Sequence, residues 1–125
     1  MINQNTNENK PTYSQFVQNL CKSGSDILCQ MQDHEAHLVH MAMGVSGEAG
    51  ELLDAIKKST IYRKPLDKEN IIEECGDILF FTQGILNYYA LKLEDAVDHN
   101  MAKLSKRYSE GKYSNEQAQK RADKQ

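Results

Sequence analysis

The chain has no tryptophan, two prolines and three cysteines among its 125 residues, and no long apolar run. Each shortage closes off a class of protein. A membrane span needs about 20 consecutive apolar residues, and the first residues, MINQNTNENK, lack the apolar stretch of a signal peptide. The expected location is the cytoplasm, or the host cytosol for a virus-encoded chain, with no membrane partner. Cys21, Cys29 and Cys75 are an odd set without C-x-x-C spacing. They speak against a disulfide framework, and two of them fall in apolar stripes where a reduced thiol packs as a small hydrophobe. A basic excess is missing as well: 15 Lys and Arg face 18 Asp and Glu, for a formal charge of −3. Nucleic-acid backbones and anionic lipids call for the opposite sign. No nucleic-acid partner is expected, and any phosphate-bearing partner must be met locally. Alternating apolar and polar runs bounded by Gly and Pro are also absent, which removes a β fold.

What is present is helical periodicity. Phe16, Val17, Leu20, Ile27, Leu28 and Met31 recur at helical intervals from Thr12, with Ser23-Gly24-Ser25 weakening the middle of that first helix. Leu38, Met41, Ala42, Val45, Ala49, Leu52 and Ile56 hold a 3.6-residue period to about Ser59. Pro65 and the N-cap candidate Asp67 then open a third helix. Its apolar residues, from Ile71 to Tyr89, cover so much of the circumference that it is expected to be the most buried. A fourth helix runs from Leu93 to Tyr108 and stops at Gly111, and Ser114 with Gln117 has the spacing of a capping box for a last short one. The expectation is an all-α, four-helix bundle-like domain over residues 12–114. Residues 1–11 form a tail too polar to order, and residues 115–125 a short helix with a fraying end. A core of this size is modest, so a homodimer or homotetramer is expected.

The chemistry sits on the second and third helices. Residues three apart share a helix face, so Glu48 with Glu51, and Glu74 with Asp77, each present two carboxylates beside the apolar stripe. A short connection favours antiparallel packing, which brings the pairs together at one edge. Four carboxylates in one place demand a cation, and hard oxygen ligands suit Mg²⁺, with Mn²⁺ as a substitute. The bland alternative is that acidic residues merely solvate two helix faces. Gly44, Gly47, Gly50 and Gly76 lie beside the pairs, at a cost of about 1 kcal/mol each against Ala in a helix, and suggest close approach of a helix or ligand. No Glu has a His three residues later, so the Glu-x-x-His ligands of a di-iron bundle are missing.

On the fourth helix Asn100 and Arg107 fall on or near the stripe Leu93, Val97, Met101 and Leu104, with Lys103 at its edge. Polar groups facing inward need partners, and a triphosphate supplies them; neutralising the acidic cluster, or snorkelling, would also account for the two cations. Lys57 and Lys58 end the second helix, where the dipole favours cations; either can still reach phosphate, and Lys57 is the candidate substrate contact. Phe81 and Tyr88 share the helical line of Glu74, and with His40 they are candidates for a base pocket, although aromatic residues at helical spacing are commonly core. His34, His37 and His40 rotate off one face and read as surface or packing residues rather than ligands.

Together the segments LVHMAMGVSGEAGELLDAIKK, IIEECGDILFF and NMAKLSKRYSEGKYS resemble the MazG-like, all-α nucleoside triphosphate pyrophosphohydrolases over most of residues 38–114. The resemblance implies that Glu48, Glu51, Glu74 and Asp77 are catalytic Mg²⁺ ligands of the family's E-x-x-E, E-x-x-D pattern. It implies that Asn100, Lys103 and Arg107 contact phosphate or sugar. The implied reaction is hydrolysis of a nucleoside triphosphate to the monophosphate and pyrophosphate, in nucleotide-pool house-cleaning, by a homo-oligomer with sites near subunit interfaces. Cys75 stands where the family commonly has Leu, and the Trp that some relatives place around the base has no counterpart. Glu73 is a candidate general base, although its helical angle points away from Glu74. Two other readings remain open: a phosphoribosyl-nucleotide pyrophosphatase, and a non-catalytic helical oligomer that binds a nucleotide or protein.

Overall fold

The computed structural model describes residues 10–125, so most of the expected N-terminal tail lies outside the described residues. The chain is all-α, as expected, with no strand among the described residues. It divides into two compact units, one ending at Glu35 and one spanning Ala36–Gln125.

In the first unit, the expected single helix is two: α1 (Tyr13–Leu20) and α2 (Gly24–Gln30). Thr12 and Gln15 form a capping box, the Gln15 N–H donating to Thr12 Oγ1 at 3.2 Å and the Thr12 N–H to Gln15 Oε1 at 2.8 Å. Cys21 leaves helical geometry, and Ser23 becomes the N-cap of α2. A serine beside a glycine favours a cap over a helix interior, which is why the apolar period did not carry through. The three cysteines are free, but all are exposed rather than in a core.

The second unit contains most of α3 (Asp33–Thr60), then α4 (Lys68–Tyr88), α5 (Leu93–Arg107) and α6 (Asn115–Lys120). Asp67 caps α4, its carboxylate accepting from the Asn70 N–H at 3.1 Å. Gly84 faces Met41, Gly44 faces Phe81, and Glu48 meets Asp77 and Glu74. Rising numbers on α3 thus meet falling numbers on α4, and the two helices run antiparallel. Among the described residues no helix is long and apolar enough to cross a membrane.

At Gly44 a side chain of α4 lies directly against the α3 backbone. A Cβ there would overlap the Phe81 ring, whereas at Gly47, Gly50 and Gly76 it would meet nothing within 4 Å. Helix propensity favours Ala over Gly by about 1 kcal/mol, but forcing a methyl into a packed ring costs about 1–3 kcal/mol. Gly44→Ala is therefore expected to destabilise by up to about 2 kcal/mol, and Gly76→Ala to stabilise by up to about 1 kcal/mol. Urea midpoints of the two variants check the opposite signs.

As expected, α4 is the most covered of the helices, but not on every side: Ile72 is 71% and Phe80 66% exposed. Leu53 on α3, and Val97 and Met101 on α5, are exposed too, and only Met41, Ala55 and Glu74 are buried among the described residues. A helix apolar all round needs neighbours on every side. Within one chain α3 covers one face of α4, and the opposite face is left bare.

Candidate metal centre

Three of the four acids converge. Glu48, Glu74 and Asp77 each offer a carboxylate oxygen, and these oxygens lie within 4.8 Å of one another. The cause is local: Glu74 and Asp77 share a face of α4, and the antiparallel register sets Glu48 of α3 opposite them. Glu74 is 7% exposed. Burial, then a hydrogen bond with Glu48 and the charges of Glu51, Glu48 and Glu73, pushes its carboxyl up to about 7. Among the described residues no Lys or Arg forms an ion pair with any of the four acids; Lys58, in the same cavity wall as Glu51 and Glu74, pairs with Asp54 instead. Such a cluster holds either a shared proton or a cation, and an all-carboxylate donor set fits a hard divalent ion. Glu51 stands outside the tight trio, but its charge is felt by Glu74.

Beside the trio a cavity of about 430 Å³ is walled by Gly47, Gly50, Glu51, Asp54, Lys58, Asn70 and Glu74. Gly47 and Gly50 therefore keep space open rather than admit a side chain of the other helix, which Gly44 and Gly84 do. Lys57 is not in this wall. Its Nζ pairs with Asp54 Oδ1 at 3.2 Å and lies 5.7 Å from the Tyr62 ring centroid. Of the two lysines that end the helix it is Lys58 that lines the wall, and Asp54 and Asn70 are the wall residues that the sequence reading passed over. The Asp54/Lys58 spacing of four residues was the available signal.

The α5 residues stand apart from this cavity. Arg107 donates in bidentate fashion to Asp123, Nε to Oδ1 at 2.7 Å and Nη2 to Oδ2 at 2.9 Å. The pairing raises the guanidinium and holds the Asp123 carboxyl far below the usual carboxylate range. The C-terminal end does not fray. Ser114 accepts from the Gln117 N–H at 3.1 Å to start α6, Arg121 turns the chain at a φ of 52°, and a 3-10 turn at Ala122–Lys124 delivers Asp123, whose side chain is 1% exposed. Asp123→Ala leaves a guanidinium without its partner, so residues 115–125 are expected to become the first site of limited proteolysis; the masses of the early fragments test this. Asn100 opens instead on a pocket of about 320 Å³ with Met101, Leu104, Tyr108 and Tyr113. Lys103 is half-buried on the same helix.

The base-pocket candidates divide. Phe81 packs on Gly44, with its ring 6.4 Å from that of His40 and 5.2 Å from that of Phe80. Tyr88 joins His37, Met41, Phe80, Gln83 and Asn87 around a groove of about 760 Å³, at the end of the α3–α4 pair opposite Lys58. Neither Phe81 nor His40 is among the groove's walls.

No curated protein and no solved structure matches the chain. The family model of the MazG nucleotide pyrophosphohydrolase domain matches residues 36–111, which hold the trio, Glu51 and the Lys58 cavity. With more than half of its length matched, the chain belongs to the MazG nucleotide pyrophosphohydrolase family.

Proposed function

We propose that the protein hydrolyses a ribo- or deoxyribonucleoside triphosphate to the monophosphate and pyrophosphate with Mg²⁺, or Mn²⁺ in its place, and serves nucleotide-pool house-cleaning. The observation that carries this reading is buried Glu74 facing Glu48 and Asp77 with no ion-paired Lys or Arg among the described residues. Family membership supplies the reaction class. A bound divalent cation would offset the charge of the phosphates and carboxylates together, and acidify water. The chain contributes placement. Glu48, Glu74 and Asp77 hold the cation on two rigid helices, Glu51 completes the acidic set, and Gly47 and Gly50 leave room for phosphate. Asn100 and Lys103 on α5 are the candidate sugar or phosphate contacts. Arg107 can join them only by giving up Asp123.

We also read the bare faces of α3, α4 and α5 as surfaces for a second copy, giving a homodimer or homotetramer. Exposed side chains such as Ile72, Phe80 and Met101 support it, since contiguous apolar surface of this kind marks an interface. The test is a panel of standard and damaged nucleoside triphosphates and phosphoribosyl nucleotides, scored by pyrophosphate release with Mg²⁺ and with EDTA. Release from triphosphates that EDTA abolishes is expected. Release from phosphoribosyl nucleotides alone moves the assignment to that substrate class, and no release from any of them leaves a nucleotide-binding module. A monomer in sedimentation at micromolar concentration would overturn the self-association.

A further inference from the structure

The cleft between α3 and α4 is polar in a directional sense, and this rests on the reading of the site as a triphosphate hydrolase. Along α3 from Glu48, one direction leads to Gly44 and the Phe81 ring that closes over it. The other leads past Glu51 to Lys58, the one cation among the described residues of the cavity wall. Side chains on a helix lean toward its N-terminus, and Lys58 does so: its Nζ lies 2.8 Å from Asp54 Oδ2, one turn back. By helix rise, the level of Asp54 is ~4.5 Å beyond Glu51 and ~9 Å beyond Glu48, a span that a triphosphate can bridge. Asp54 takes one of three ammonium donors and leaves two. Asn70 adds a carboxamide to the same wall. The opposite end of the helix pair offers rings and amides, Phe80, Tyr88, Gln83 and Asn87, and no Lys or Arg.

We propose that Lys58, set in place by Asp54, receives the terminal phosphates, so that the substrate lies with its pyrophosphate end toward the α3 C-terminus and its nucleoside toward the aromatic end. The pyrophosphate half carries most of the substrate's negative charge and is common to every nucleoside triphosphate. A lysine there grips the leaving group whatever the base. Asp54 is a positioning residue: it fixes the ammonium and touches no reacting atom.

The test is calorimetric titration of the full chain with magnesium pyrophosphate, and separately with Mn²⁺ alone. Lys58→Met is expected to weaken magnesium pyrophosphate about tenfold or more, the loss of one charge-assisted contact, without weakening Mn²⁺. Lys58→Arg is expected to restore most of the affinity, and Asp54→Asn to give an intermediate loss. Unchanged pyrophosphate affinity in Lys58→Met, or a wild type that does not bind magnesium pyrophosphate, overturns the proposal. An equal loss of Mn²⁺ affinity also overturns it, since Lys58 would then act through the carboxylates. The two readings fail separately. Hydrolysis with Lys58-independent pyrophosphate binding removes only this inference, and Lys58-dependent binding without hydrolysis of any triphosphate removes only the hydrolase.

Discussion

Glu74→Gln is expected to abolish most pyrophosphate release and, in EDTA, to raise the melting temperature of the protein. The two effects have one origin. Glu74 is buried against Glu48 with the charges of Glu51 and Glu73 close by, and among the described residues no cationic side chain pairs with them. An amide of the same shape keeps a hydrogen bond to Glu48 and removes the like charge, so the metal-free fold gains a few degrees. The same change deletes a ligand charge that the transition state relies on, and a loss of about 10²–10³-fold in kcat is expected. Glu48→Gln and Asp77→Asn should lose activity to a similar degree, because the three oxygens form one cluster within 4.8 Å. In Mg²⁺ the stability order should reverse, since a ligand that binds only the folded state stabilises the wild type by mass action and the variant much less. Paired melting curves in EDTA and in Mg²⁺, with kcat from pyrophosphate release, decide the matter. A Glu74→Gln protein that turns over at the wild-type rate, or that melts below the wild type in EDTA, would remove Glu74 from the site.

How much of this was open to a reader of the sequence depends on how local the cause is. The convergence of the acids was legible because it needs only a 3.6-residue period on two helices and a connection short enough to force them antiparallel. Asp67 and Gly111 were legible for the same reason: a cap and a stop act on their own backbone, and Gly111 sits at a φ of 72°. Lys58 against Lys57 was not. Adjacent helical residues point ~100° apart, and which one enters the cavity follows from the aspartate four residues back and from a cavity that only packing defines. Nor was the Arg107 clamp, because its partner lies sixteen residues on, past a left-handed turn at Arg121 that no glycine announces. The aromatic line on α4 misled in a third way. Helical spacing places Phe81 and Tyr88 on one line, yet Gly44 admits the Phe81 ring into the helix contact and leaves Phe80 and Tyr88 to the groove. The bare face of α4 was not legible either, since an apolar circumference states that burial is needed, not whether the same chain provides it.

The response of stability to pH should carry the same signature as the Glu74 variant, with a sign that the metal inverts. A carboxyl raised from its ordinary 4.5 to about 7 stays protonated in the folded chain over a range where the unfolded chain has released its proton. Stability from this group is therefore fully present below pH 4.5 and is lost as the pH rises through about 7. In EDTA the melting temperature should fall between about pH 5 and pH 8. A divalent cation needs the ionised carboxylate and competes with the proton, so its affinity should climb by up to about tenfold per pH unit below the carboxyl's pKa and level off above it. With saturating Mg²⁺ the downward slope should flatten or turn upward. The Asp123–Arg107 pair contributes in the opposite sense and elsewhere. Its carboxyl is held far below the usual range, so its share of stability is lost only in strong acid, outside this window. Other groups that titrate near neutrality act equally in the wild type and in Glu74→Gln, so the difference between their two EDTA profiles isolates Glu74. Parallel profiles would mean that the buried carboxylate carries no excess proton, and the electrostatic argument for a cation at this cluster would fall with it.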